Sequence, residues 1–227
     1  MPFKKKAGYI WDYYKFPIIG FIAVLIFLIT FIRDYRLNSR PLYLDALLIN
    51  SDLAYSYDES LKNDFISYAG IDTKAYNLTI DTSPVIEEGS YDQMTVANTQ
   101  KVFAMYTAGN LDVVIAPEPI ADEYGTMGAH MDLMEVLTDE LKEALADKGY
   151  KLYYTTEYEE DENGESRPVG TYPAGIYVDS SDYLKELGTD GAFASQILAG
   201  NKPVFTITAT CKRVDNALKL LYMITGI

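Results

Sequence analysis

The chain has one cysteine, one tryptophan and one histidine in 227 residues, and each scarcity closes off a class of protein. With Cys211 alone no intramolecular disulfide forms, so a disulfide-stapled secreted mini-domain is excluded, as is a cysteine-rich zinc site. Cations are scarce as well. Lys+Arg 19 stand against Asp+Glu 33, a formal net charge of −14. A nucleic-acid binder needs clustered Lys and Arg facing phosphate, so no nucleic-acid partner is expected. The remaining composition, 48% apolar and 23% charged, is that of a globular chain.

The negative charge is unevenly spread. Residues 1–40 hold seven cations (Lys4, Lys5, Lys6, Lys15, Arg33, Arg36, Arg40) and two acids (Asp12, Asp34), a net +5, which leaves −19 on residues 41–227. Such asymmetry marks a chain whose ends meet different surroundings. Between the charges, Phe16 to Ile32 (FPIIGFIAVLIFLITFI) runs without an ionisable group. At 1.5 Å per residue it spans about 25 Å, slightly short of a ~30 Å hydrocarbon core. Flanking residues supply the difference: Tyr9, Trp11, Tyr13, Tyr14 and Tyr35 as interfacial aromatics, and Lys15, Arg33 and Arg36 as side chains that snorkel to the headgroups. Pro17 is expected in the first helical turn, where its missing N–H costs nothing.

A cleavable signal peptide needs a small-x-small site after its apolar region, whereas Arg33-Asp34-Tyr35-Arg36 follows here. A buried core helix does not need apolarity on every face with aromatic and basic collars. An uncleaved signal anchor fits better, and no lipobox cysteine precedes the following domain. Four lysines before the span and a long acidic domain after it favour the N-terminus inside. The expected organisation is a cytoplasmic tail (1–15), a transmembrane helix in contact with the lipid bilayer (16–32), a juxtamembrane linker (33–41) and an extracytoplasmic domain (42–227). The protein is thus expected in the cell membrane, single-pass, with its C-terminal domain extracellular.

Within that domain, Tyr43–Asn50 reads as a strand buried on both faces. Asp58 is placed to cap a helix with Leu61, Phe65, Tyr68 and Ala69 on one side, ending at Gly70. Tyr76–Asp81 is a second strand, a helix from about Tyr91 ends at Gly109, and Leu111–Ala116 is a third strand closed by Pro117. Strands alternating with helices through short loops predict an α/β fold with a mostly parallel sheet. Leu133, Leu137, Leu141, Ala144 and Leu145 predict one further helix. Lys151–Tyr158 and Val169–Val178 form a β-hairpin insertion around Asn163-Gly164, with a solvated acidic tip. Asp182–Leu187 is a short helix, Pro203–Ala209 a last strand, and Val214 onward a terminal helix.

Catalysis has little to stand on. P-loop, nucleophile-elbow, dinucleotide-fingerprint and zinc-protease motifs are absent from the sequence. His130 reads as a solvated loop side chain and Cys211 as a packed thiol, in preference to a nucleophilic pair. The acidic stretch Glu157–Glu165 lacks calcium-loop spacing. No enzyme activity, cofactor or metal is expected. In an open α/β sheet ligands bind beyond the carboxyl ends of the parallel strands, which nominates Asn50, Ser51, Asp81, Thr82 and Glu118.

The stretch Ala104–Leu141 carries a resemblance in four places: Ala108-Gly109 ending a helix, the strand Asp112–Ile115, Tyr124-Gly125, and Asp132-Leu133. It resembles the hinge-proximal part of extracellular solute-binding proteins of ABC importers, with a type II periplasmic-binding-like fold. Trp11-Asp12-Tyr13-Tyr14-Lys15-Phe16 ahead of a span resembles single-pass membrane proteins of Gram-positive, Clostridia-like bacteria. The resemblance implies a membrane-anchored binding or accessory module whose partner is a small solute. The alternative is a protein-interaction subunit of an envelope complex. Solute-binding proteins have two lobes around a cleft, and this chain has length for one, with a reduced second lobe built from the 151–178 hairpin.

Overall fold

The computed structural model describes residues 3–53, 59–161, 164–187, 191–193 and 200–227, with the side chains of 3–13 and 38 left aside. It divides into two compact units, Met1–Pro41 and Leu42–Ile227.

The first unit is one helix, α1 (Phe3–Asn38). Its stretch Tyr14–Leu37, 24 residues of mean hydropathy 2.5 with none of its window buried, is long and apolar enough to cross a bilayer. At 1.5 Å per residue that is about 36 Å, longer than the apolar run alone provides. Length and composition of this kind fit a membrane anchor or a signal sequence. Pro17 does not sit in the first turn, because no breaker stops the helix from beginning at Phe3. It lies in the interior, where its missing N–H removes one backbone bond.

The second unit is α/β. Its six strands are β1 (Leu42–Leu48), β2 (Asn77–Asp81), β3 (Val113–Pro117), β4 (Lys151–Glu160), β5 (Ser166–Tyr177) and β6 (Pro203–Ile207), in the order β2-β1-β3-β6-β5-β4. Parallel pairing is confined to β2-β1-β3, and β6, β5 and β4 add three antiparallel pairs. The sheet is therefore mixed, not mostly parallel. A parallel neighbour needs a crossover of a dozen or more residues, which the short β4–β5 connection cannot supply.

The alternation of side chains along β1 explains its apolar sequence. Leu44, Ala46 and Leu48 face one layer with Leu61 and Phe65 of α2 (Ser60–Ala69). Val113, Ile115, Phe205 and Ile207 continue that face. The helices α5 (Asp139–Asp147) and α7 (Val214–Thr225) also cover it, through Leu141, Leu145, Ala217, Leu220, Leu221 and Ile224. On the opposite face Leu47, Ile49, Val114 and Ala116 meet Val102 of α3 (Gln93–Ala108) and Ile120 and Tyr124 of α4 (Glu118–Thr126). Burying each large aliphatic side chain contributes roughly 1.5–3 kcal/mol. Gly70 and Gly109 stop α2 and α3 at φ 62° and 63°, a left-handed conformation that costs glycine little.

Some boundaries differ from the sequence expectation. Asp58 lies outside the described residues, and Glu59, directly ahead of α2, makes no side-chain cap bond. The helix expected from Leu133 is interrupted: a 3₁₀ turn covers Leu133–Glu135, and α5 starts afresh after Thr138, whose hydroxyl accepts from the Leu141 N–H at 3.3 Å. The short helix α6 (Asp182–Glu186) follows β5. The hairpin is no second lobe. It continues the main sheet through Gly175–Tyr177 against β6, and its register carries the tip toward the amino ends of the parallel strands. Asn163 lies outside the described residues. Near it the Arg167 guanidinium pairs with Asp161 at 2.5 Å.

Candidate functional site

Strand order reverses on either side of β1, so the carboxyl ends of β1, β2 and β3 form the switch point at which open α/β sheets hold ligands. The register places Asn50 and Ser51, Asp81 and Thr82, and Glu118 at that one end, since Leu47 pairs with Asp81 and Leu48 with Ile115. The side chains of four of them are nevertheless occupied by the chain itself. Asn50, at φ 57°, donates through Nδ2 to the Ile86 carbonyl at 2.8 Å and accepts from the Ile86 N–H at 2.7 Å. It thereby clamps the loop after β2. Ser51 Oγ donates to the Ala192 carbonyl at 3.1 Å and accepts from the Leu53 N–H. Asp81 pairs with Lys101 at 2.6 Å and accepts from Ser83, contacts that hold its carboxyl below the usual range against the opposing effect of burial. Thr82 follows, half-buried. Glu118 accepts from the Tyr177 hydroxyl at 2.8 Å.

Two of these contacts lead to a cavity. Ser51 grips Ala192, and the Glu118 N–H donates to the Lys202 carbonyl at 3.0 Å. Gly191, Phe193 and Lys202 line a space of about 290 Å³. Its apolar wall is Val178, Leu184, Phe193 and Pro203, and its polar rim is Asp179, Lys185, Asn201 and Lys202. The cavity lies at the carboxyl end of the parallel strands because β6 begins opposite Pro117 and β5 ends opposite Val204. None of the five nominated residues lines it; Ser51 and Glu118 hold its walls from behind. The signal that marks this site is the segment 178–202. It joins adjacent antiparallel strands, for which a turn of two to five residues suffices, and so long a connection is a common seat of function.

On the rim, Lys202 Nζ lies 3.1 Å from the Asp179 carboxylate and 5.6 Å from the Tyr177 ring centroid. Lys185 Nζ donates to the Ser180 carbonyl at 3.0 Å. Ser181 caps α6 by accepting from the Leu184 N–H, while its Oγ donates to the Ile224 carbonyl at 2.6 Å. Behind the wall, Tyr153 donates to Asp122 as Tyr177 does to Glu118, and burial together with these carboxylates drives both phenols well above their usual range.

His130 is not solvated. It is 3% exposed, and its Nε2 donates to the Ala121 carbonyl at 2.9 Å. A carbonyl only accepts, so the proton resides on Nε2, leaving Nδ1 without a partner among the described residues. Cys211 instead lies 3.3 Å from a carboxylate oxygen of Asp112, and burial pushes its thiol up to about 12. Asp112 is fully buried and paired with Arg213 at 2.7 Å, and it accepts from the Asp45 N–H. The thiol is thus protonated and anchored, donating to a carboxylate that Arg213 already neutralises. Among the described residues no cluster of three or more His, Cys, Asp or Glu side chains is arranged to hold a metal ion.

Comparison with protein families, with curated proteins and with solved structures finds no match in any of the three.

Proposed function

We propose that the chain is a membrane-anchored extracytoplasmic binding or accessory module, akin to a reduced solute-binding protein and not an enzyme. The observation that carries this reading is the cavity at the carboxyl end of the parallel strands, apolar within and charged at its rim. Its volume sits at the small end of ligand pockets, which suits a solute of low molecular weight. The topology rests on α1 as the anchor, with the +5 amino-terminal segment on the cytoplasmic face and the −19 domain outside. The thiol locked against Asp112 and the backbone-bonded histidine fit a module that binds without reacting.

The test is a thermal-shift screen of the full chain in detergent micelles against sugars, amino acids, peptides and organic acids. A hit should raise the melting temperature of the native chain and lose its effect in Asn201→Trp, which fills the rim. An empty screen sinks the small-solute reading.

A second reading, a protein-interaction subunit of an envelope complex, is favoured by the outer face of the hairpin. Tyr154, Tyr158 and Val169 are exposed there, Tyr154 at 57%, on strands that are otherwise well paired. Crosslinking in cells that recovers only the monomer counts against it.

A further inference from the structure

We infer that α3 (Gln93–Ala108) is a self-association face, taking α3 of a second copy of this chain in an antiparallel pair. The inference is independent of what fills the cavity. A surface helix ordinarily turns its apolar stripe inward and its charges outward. In α3 the inward side is partly polar: Asn98 Nδ2 donates to the Val85 carbonyl at 2.8 Å, and the Thr95 hydroxyl accepts from the Glu87 N–H at 3.4 Å. The outward side carries Val96, Ala97, Gln100, Phe103 and Ala104, all exposed and none charged, with Phe103 at 55% and Val96 at 40%. Among the described helices α3 alone contains neither Asp nor Glu, and its single cation, Lys101, is bound to Asp81 at 2.6 Å.

The stripe selects its occupant because it is symmetric about Gln100. In an isologous pair residue i meets j and j meets i. With α3 antiparallel to its twin and the two-fold axis through Gln100, Phe103 falls against the partner's Ala97, Val96 against the partner's Ala104, and Gln93 against the partner's Thr107. Each large apolar side chain meets a small one, and the two Gln100 amides meet on the axis, where each has both a donor and an acceptor to offer. Charge points the same way. Residues 41–227 carry −19, so two copies repel except across a face without acids. A cationic partner would be drawn to the acidic surface elsewhere. A helix that lies on lipid carries Lys and Arg beside its apolar stripe, whereas the one lysine of α3 is taken by Asp81. A face about 24 Å long and ~10 Å across is small beside the ~800 Å² per partner of a standard interface, so the pair is weak by itself and strengthened where α1 confines both copies to one bilayer.

The experiment is mild oxidation of the full chain in cells that express it, with cysteines placed along the stripe and the products sized on a non-reducing gel. Cys211, half-buried and hydrogen-bonded to Asp112, is retained, and the native chain sets the background. Gln100→Cys alone, and Val96→Cys combined with Ala104→Cys, should each give a dimer-sized product. Val96→Cys alone and Ala104→Cys alone should not, since each lies four residues from the axis and stands about 12 Å from its own copy, beyond the reach of a disulfide. Adding Phe103→Glu to Gln100→Cys should cut the product at least about tenfold, while Phe103→Leu keeps it. Both changes fall on an exposed side chain, and unchanged melting temperatures of the purified chains would confirm that the fold is retained. Product from either single variant at position 96 or 104 overturns the antiparallel pair. Product indifferent to Phe103→Glu, product only of another mass, or no product at all overturns self-association through α3, and each leaves the binding reading intact.

Discussion

Burial pulls the imidazole of His130 down to about 4 from 6.5, with the Ala121 hydrogen bond and the Asp122 charge offsetting part of the effect. An unfolded chain takes up that proton near pH 6.5 and the folded one only near pH 4, so the neutral ring's contribution is complete above 6.5. It is lost as pH falls through that window, on the order of 3 kcal/mol. Asp45 behaves in the opposite sense. Burial, and next the Asp112 carboxylate, raise its carboxyl to about 6 despite Arg213. The folded state therefore holds a proton that the unfolded state releases near 3.8. Asp45's contribution is greatest below that and is lost as pH rises through 6. Urea unfolding between pH 4 and 8 should show His130→Gln flattening the acid limb. Asp45→Asn should raise stability at pH 7, since it removes a buried charge whose Oδ1 has no partner among the described residues. Gly125→Ala should cost about 1–3 kcal/mol, because a Cβ there collides with the Thr155 hydroxyl and crowds His130; thermal unfolding measures it. The sequence places His130 in a loop, and its burial was not legible there: the contact that buries it comes from α4, and a carbonyl partner leaves no trace in residue type.

At the scale of elements, periodicity made the helices and the parallel strands readable. Leu133, Leu137, Leu141 and Leu145 all reach the same core, as their spacing requires. The interruption between them escapes periodicity, since a 3₁₀ turn and a restarted helix both keep leucines on the inner face. Thr138 was the available clue, a cap residue ahead of Asp139-Glu140. Thr138→Ala should lower stability by about 0.5–2 kcal/mol in chemical denaturation, with α5 losing amide-exchange protection first. The direction of β6 was not legible, because an apolar strand after a long connection pairs equally well either way by composition. Its antiparallel course beside β3 brings Asn201 and Lys202 to the carboxyl end, and so builds the cavity. The nominated residues stand at the same end of the sheet as the cavity, but none of them lines it. Asn50 and Ser51 are polar because they tie down the covering loops, a need that looks the same in sequence as ligand binding.

For the whole molecule, the charge division between residues 1–40 and 41–227 falls beside the boundary between the two compact units. Residues 42–227 form a closed hydrophobic core on both sheet faces, so expressed without α1 they should fold as a soluble, cooperatively melting domain, checked by calorimetry. The full chain should instead partition with membranes and resist extraction by salt or carbonate. The most direct measurement is protease accessibility on intact cells of a chain tagged at both ends. With the N-terminus inside and the C-terminal domain outside, added protease should remove the C-terminal tag while the N-terminal tag survives until the membrane is permeabilised. A protected C-terminal tag beside a digested N-terminal one would contradict that topology.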